Sequence, residues 1–246
     1  PLSLRSDCPP FLTTVHRPVD FEYIQTMLAY DKIKFCAISN DHKKSIEEQG
    51  VPVVGVVPNG IEIERYEFND SNNSSDDYFL YLSRVNKQKG IISAIEAAKM
   101  AGKKLIIAGN IVGGEEWLYF MHEIQPLLNS ENICFRGQVD FNEKIQLLKN
   151  AKALLFPIER REPFGLVMIE AMACGTPVIG FNNGSVSEIV KHGETGFVVN
   201  FKEEMAEMMG RIDEIDRKTC RKHVEDNFTV KKMVDAYEKI YNQIIS

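Results

Sequence analysis

The chain has 246 residues, 44% of them hydrophobic and 26% charged, with a formal net charge of −6. That length can bury one large core or two modest ones, and the acidic balance without a sustained basic patch excludes a nucleic-acid footprint. Five scattered cysteines (Cys8, Cys36, Cys134, Cys174, Cys220) with no C-x-x-C pair exclude a disulfide frame or zinc cluster.

These thiols, with no signal peptide and no run approaching the ~20 apolar residues of a membrane span, lead to an expected cytoplasmic location. The sequence opens at Pro1 without an initiator Met, which suggests a missing N-terminal part.

In chain order, the β-branched run 11–15 reads as a strand ending at His16, with Arg17-Pro18 as breaker. A helix is expected over 21–30 and a strand over 35–38. Ser39 would cap a polar helix over 41–48 that stops at Gly50. A third strand over 51–57 closes on Pro58-Asn59-Gly60. Residues 69–77 are all polar and form the best linker in the chain.

A second α/β series follows. Strands are expected over 78–82, 104–108, 133–135, 153–156, 177–181 and 196–199. Helices are expected over 91–101, 117–128 (broken near Pro126), 143–150, 166–173, 202–215, 219–225 and 230–245. Ser185-x-x-Glu188 reads as a capping box for a further short helix.

Strands alternating with helices at this spacing imply right-handed crossovers and doubly wound parallel sheets. The expected organisation is a partial first domain over 1–66, a linker over 67–77, a second domain over 78–228, and a closing helix over 229–246. Three strands in some sixty residues hardly cover two faces of a sheet. Either the first unit packs on the second, or its beginning lies outside this sequence.

The chain is organised around 157–177, PIERREPFGLVMIEAMACGTP. A buried strand ends at Pro157, a charged loop carries Glu159, Arg160, Arg161 and Glu162, and Gly165 opens an apolar helix. The free N–H groups of that helix offer an anion site. Glu162 lies beside it, and Glu170 sits roughly 8 Å along the helix, about the span from a phosphate to flanking sugar hydroxyls. Such a unit also serves as a plain capped, buried helix with solvated carboxylates.

Ligands of open α/β sheets bind beyond the C-terminal strand ends. Arg84 and Lys89, in the loop after the first strand of the second series, could grip a diphosphate from the side opposite Phe164-Gly165, or could be surface charges. His16 reads equally as structural or functional.

The run S-R-V-N-K-Q-K-G, then E-P-F-G-L-V-M-I-E-A-M-A-C-G-T-P-V-I, then N-G-S-V-S-E-I-V-x-x-G-x-T-G-F-V-V resembles the donor-binding half of retaining family 4 glycosyltransferases. The resemblance extends from about Phe11 to the C-terminus. It implies a GT-B fold of two Rossmann-like domains, the N-terminal one incomplete. It implies transfer of a sugar, with retention and without a metal, from a nucleotide diphosphate donor to an unknown acceptor. Uridine is the favoured base, no resident cofactor is implied, and peripheral membrane contact through the first domain is left open.

By the same resemblance, Glu170 would accept from ribose hydroxyls and Glu162 would meet the transferred sugar. Arg84 and Lys89 would neutralise the diphosphate, helped by amides of Phe164, Gly165 and Leu166. Gly109, Arg136 and Gly137 would lie at the donor, the last two at its base. His16 would point into the cleft, and the last helix would cross back onto the first domain. Ser83 and Ser185 stand where the family usually has Gly. No D-x-D pair accompanies these residues. A non-catalytic sugar-nucleotide binding module is a rival reading. A dinucleotide oxidoreductase is another, but the G-x-G-x-x-G turn it needs is missing.

Overall fold

The computed structural model describes residues 10–30, 32–70, 77–128 and 131–245. Cys8 and residues 71–76 of the polar run lie outside them.

Among the described residues there are two parallel sheets. The smaller holds β1 (Phe11–Thr14), β2 (Ile33–Ala37) and β3 (Val53–Val56) in that order. Its helices are α1 (Phe21–Leu28), capped by Asp20, and α2 (Asn40–Glu47), capped by Ser39.

The larger sheet holds β4 (Tyr78–Leu82), β5 (Lys104–Ala108), β6 (Ile133–Gly137), β7 (Leu154–Phe156), β8 (Val178–Phe181) and β9 (Gly196–Val199). Their spatial order is β6-β5-β4-β7-β8-β9. Strand order reverses between β4 and β7, which creates the crevice where such sheets take ligands. The central strands are buried on both faces, which explains their uninterrupted apolar runs: Phe79, Leu80 and Tyr81, then Leu154 and Leu155, are at most 1% exposed.

Around this sheet pack α3 (Ile91–Ala101), α4 (Gly114–Tyr119), α5 (Phe141–Asn150), α6 (Leu166–Ala173), α7 (Val186–Ile189), α8 (Lys202–Gly210) and α9 (Arg217–Asn227). The helix expected over 117–128 is irregular: α4 passes into a π turn at Phe120–Ile124 and a 3₁₀ turn at Gln125–Leu127, where Pro126 removes a donor. The helix expected over 202–215 stops at Gly210, and a 3₁₀ turn completes it.

Ser185 and Glu188 do not form a capping box. Ser185 Oγ donates to the Phe164 carbonyl instead, and Glu188 accepts from the Asn40 and Asp41 backbone on α2. Tertiary partners outcompete the local cap because the Phe164 carbonyl and the first turn of α2 reach these two side chains.

Two chain segments run side by side between the sheets. Ile61 bridges Thr229, with Ile61 N–H donating to the Phe228 carbonyl at 2.9 Å. Beyond it, Ile61, Ile63 and Tyr66 are buried in the larger core. Asn69 is held there too, its N–H on the Cys174 carbonyl and its carbonyl accepting from Arg217 Nε.

Past Thr229, α10 (Val230–Ile245) lays Met233, Ala236, Tyr237 and Ile240 on Cys36, Val57 and Leu12 of the smaller unit. Tyr237 and Thr14 share a hydroxyl hydrogen bond of 2.7 Å. No helix among the described residues is long and apolar enough to cross a membrane. Burial pushes the Cys36 thiol up to about 11 and those of Cys174 and Cys220 to about 12, so these are packing groups.

Candidate functional site

The loops leaving β4, β5, β6 and β7 meet at the crevice of the larger sheet. Val85 N–H donates to the Asn110 carbonyl at 2.9 Å, and Gly109 N–H to the Gly137 carbonyl at 2.8 Å. Glu159 N–H reaches the Gln88 carbonyl at 3.1 Å, tying the β7 loop to the β4 loop.

Gly165 begins α6 at φ +81°, and an added Cβ would strike Phe156 and Met168 at 2.8 Å. Only glycine turns the chain there. It also leaves α6 without a side-chain cap, so the helix N-terminus keeps its positive end unspent. Gly184 is needed for a different reason, since a Cβ would lie 2.4 Å from the Glu162 backbone. The β8 loop can therefore lie flat on the Glu162 segment, where Ser185 N–H donates to the Glu162 carbonyl at 3.0 Å. Ser185 thus binds this loop through both its amide and its hydroxyl, as a glycine could not.

Three ion pairs line the crevice. Lys89 Nζ meets Glu162 Oε2 at 2.7 Å, and Lys144 Nζ meets Glu170 Oε1 at 2.8 Å. Arg84 Nε lies 3.5 Å from Glu116 Oε1. The Tyr66 hydroxyl also donates to Glu170 Oε1, at 2.9 Å. Burial, reinforced by the Glu170 carboxylate, pushes the Tyr66 phenol up, so it remains a donor. The pocket between the β4, β5 and β6 loops holds about 230 Å³ and is lined by Ser83, Arg84, Gly109, Asn110, Gln138 and Lys144. Lys144 connects it to Glu170.

The expected residues are placed as follows. Arg84 and Gly109 line this pocket, and Lys89 reaches Glu162. Gly165 and Leu166 start α6, Leu166 being 47% exposed. The Phe164 ring is buried edge-on against Phe228, so only its backbone faces the loop. Gly137 ends β6 at φ +74°. The Arg136 side chain lines a separate hollow with Lys104, Ile106 and Cys134.

His16 is exposed just past β1, close enough for its charge to oppose protonation of His42. His42 in turn lines a cleft with Arg161 and Pro163, the neighbours of Glu162.

Sequence reasoning missed Tyr66, Lys144, Glu116 and the role of Arg161. Lys144 carried one usable signal: it is a cation in the first turn of a helix that follows a strand's C-terminal end. Among the described residues, no group of three or more His, Cys, Asp or Glu side chains could hold a metal ion.

A doubly wound sheet with its charged crevice at the switch point, beside a second parallel sheet and a returning helix, defines a GT-B architecture. Comparison with known proteins agrees. Residues 62–227 match the family model described as "Glycosyl transferases group 1", and the chain belongs to that family.

It is 32% identical over 173 residues to glycogen synthase of Mycobacterium tuberculosis, covering 68% of this chain and 41% of the relative. It is 27% identical over 183 residues to N-acetyl-alpha-D-glucosaminyl L-malate synthase of Bacillus anthracis, covering 70% and 46%. The chain thus spans less than half the length of these curated relatives. Its fold superposes on Anabaena Alr3699/HepE, solved in complex with UDP and glucose, with a TM-score of 0.79 and 19% identity. That match covers 96% of this chain and 71% of the other.

Proposed function

We propose that this protein moves a sugar from a nucleotide diphosphate donor to an acceptor hydroxyl, with retention and without a metal. The observation that carries the reading is the pairing of both spaced carboxylates with lysines at one end of the sheet, Glu162 with Lys89 and Glu170 with Lys144. A family of glycosyl transferases, and a fold shared with a protein solved with UDP, support uridine as the base.

In this reading the ribose hydroxyls take over Glu170 from Lys144 and Tyr66. The diphosphate lies between Arg84, Lys89 and the open N-terminus of α6, and the transferred sugar rests against Glu162. His16 approaches that sugar from the smaller sheet. Amides at Phe164, Gly165 and Leu166 face the phosphates, and backbone at Arg136 and Gly137, beside Gly109, lies toward the base.

The bond from the anomeric carbon to the phosphate oxygen breaks, and nucleoside diphosphate departs with the electron pair. The acceptor oxygen bonds the same face of that carbon and passes its proton to the departing phosphate. Negative charge grows on the phosphate as the bond breaks, so the two cations and the helix dipole lower the barrier most at that point.

The test is calorimetric titration with UDP, followed by release of UDP from a panel of UDP-sugars offered with glycan and lipid acceptors. Saturable UDP binding that Glu170→Ala weakens by about tenfold or more, together with sugar-dependent UDP release, is the expected result. Binding without turnover on any acceptor would favour a sugar-nucleotide binding module.

A further inference from the structure

Glu116, on α4, lies outside every role given so far, yet it is only 15% exposed and takes three donors at once. Oε2 accepts from the Val112 backbone N–H at 2.8 Å. Oε1 accepts from Asn86 Nδ2 at 3.3 Å and faces Arg84 Nε at 3.5 Å. A guanidinium, a side-chain amide and a backbone N–H converging on one anion make up the donor set of a phosphate site. Here the chain's own carboxylate fills it.

Taking as given the reading in which Arg84 meets the donor diphosphate, we propose that Glu116 is an internal stand-in for phosphate. It competes with the nucleotide diphosphate for Arg84 and sets how tightly the donor binds. A carboxylate and a diphosphate on one guanidinium repel each other, so the donor displaces Glu116 and inherits Asn86 and the Val112 N–H.

The exchange is easy on both sides. Arg84 is 53% exposed, which keeps the existing pair weak. Glu116 follows the Gly113–Gly114 turn, where a Cβ added at either glycine would meet only open space. Glu116 is therefore an affinity-setting residue and not a catalytic one.

The test is titration of the full-length protein with UDP, inorganic pyrophosphate and uridine. Glu116→Gln removes the charge and keeps one acceptor oxygen, enough for the Val112 N–H or for Asn86 Nδ2 but not for both. It should bind UDP and pyrophosphate roughly two- to fivefold tighter, with uridine unchanged. The gain should vanish in an Arg84→Ala background and shrink as salt is raised.

Weaker or equal binding of both phosphate ligands overturns the proposal, the former making Glu116 a support that positions Arg84. An equal gain for uridine overturns it too. A parent protein that binds none of the three ligands overturns the donor reading itself, and this inference with it.

Discussion

Ser39 donates its hydroxyl to the Pro163 carbonyl at 2.7 Å, across the gap between the two sheets and one residue from Glu162. On the other side of Glu162, Arg161 forks onto Asp41 of α2, Nε to Oδ2 at 2.7 Å and Nη2 to Oδ1 at 2.8 Å. The loop that presents Glu162 is therefore held by the smaller unit as well as by its own sheet.

This clamp has a measurable strength. The Arg161–Asp41 pair is bidentate but 41% and 24% exposed, so its coupling should be about 1 kcal/mol. A double-mutant cycle with Arg161→Gln and Asp41→Asn, read by urea unfolding, checks the value. The reversed pair, Arg161→Asp with Asp41→Arg, should recover part of it. A coupling near zero would mean that Ser39 and Glu188 hold the units together without this ion pair.

Glu170 makes the sharpest prediction for donor binding. If Glu170 holds the ribose as proposed, replacing it by Ala removes the shared acceptor of two hydroxyls and should cost about 1.5–3 kcal/mol in UDP affinity. Pyrophosphate affinity should not change, since the proposal gives the phosphates other residues. Calorimetry with both ligands checks this. Equal losses for both would place Glu170 at the phosphates instead.

Much of this was legible in the sequence, for identifiable reasons. Central parallel strands such as β4 and β7 announce themselves because burial on both faces demands uninterrupted apolar runs. Gly165 and the two spaced carboxylates stand out because a turn and an anion site constrain their neighbours.

Lys144 and Glu116 were not legible, because a single charge on a helix reads as a solvated face until the partner is known. Ser185 and Glu188 fit a local capping pattern, and only the approach of Phe164 and α2 shows that their hydrogen bonds go elsewhere. The polar run 69–77 marks exposure. It could not reveal that Asn69 is gripped by the larger unit, because its partners, the Cys174 and Lys149 carbonyls and the Arg217 guanidinium, are far away in sequence.

Arg84→Ala should lower turnover more than it lowers donor affinity. On the proposed reading the charge it meets grows as the sugar–phosphate bond breaks, so its value is greatest in the transition state. Steady-state kinetics should show kcat falling by a larger factor than KM rises. A rise in KM with unchanged kcat would make Arg84 a binding residue only.

Arg217 governs stability far from the crevice. It is 5% exposed and donates to the carbonyls of Asn69, Ala151 and Lys149 and to Thr176 Oγ1. Burial lowers its pKa, yet a guanidinium stays charged there. Arg217→Met takes the donor from four acceptors, two of the contacts buried and two part-buried, and should cost about 3–5 kcal/mol in urea unfolding. Arg217→Lys keeps the charge but cannot reach all four, so it should fall in between. A loss below 1 kcal/mol for the Met variant would show that water replaces the guanidinium.

One buried and one half-buried histidine should make the fold sensitive to acid. His42 Nε2 faces the Arg17 carbonyl at 3.1 Å and so carries the proton, which leaves buried Nδ1 as a lone pair without a partner. Protonating it would create a buried N–H with no acceptor. His223 is held in the same way against the Ile189 carbonyl at 2.9 Å. Burial lowers both pKa values below the ordinary 6.5. The unfolded chain therefore takes up these protons first. Stability is fully present above about pH 6.5 and declines as pH falls from there toward the folded-state values. The urea midpoint should drop between pH 7.5 and 5.5, and His42→Gln with His223→Gln should flatten that slope. An undiminished slope in the double variant would assign the acid sensitivity to the carboxylates instead.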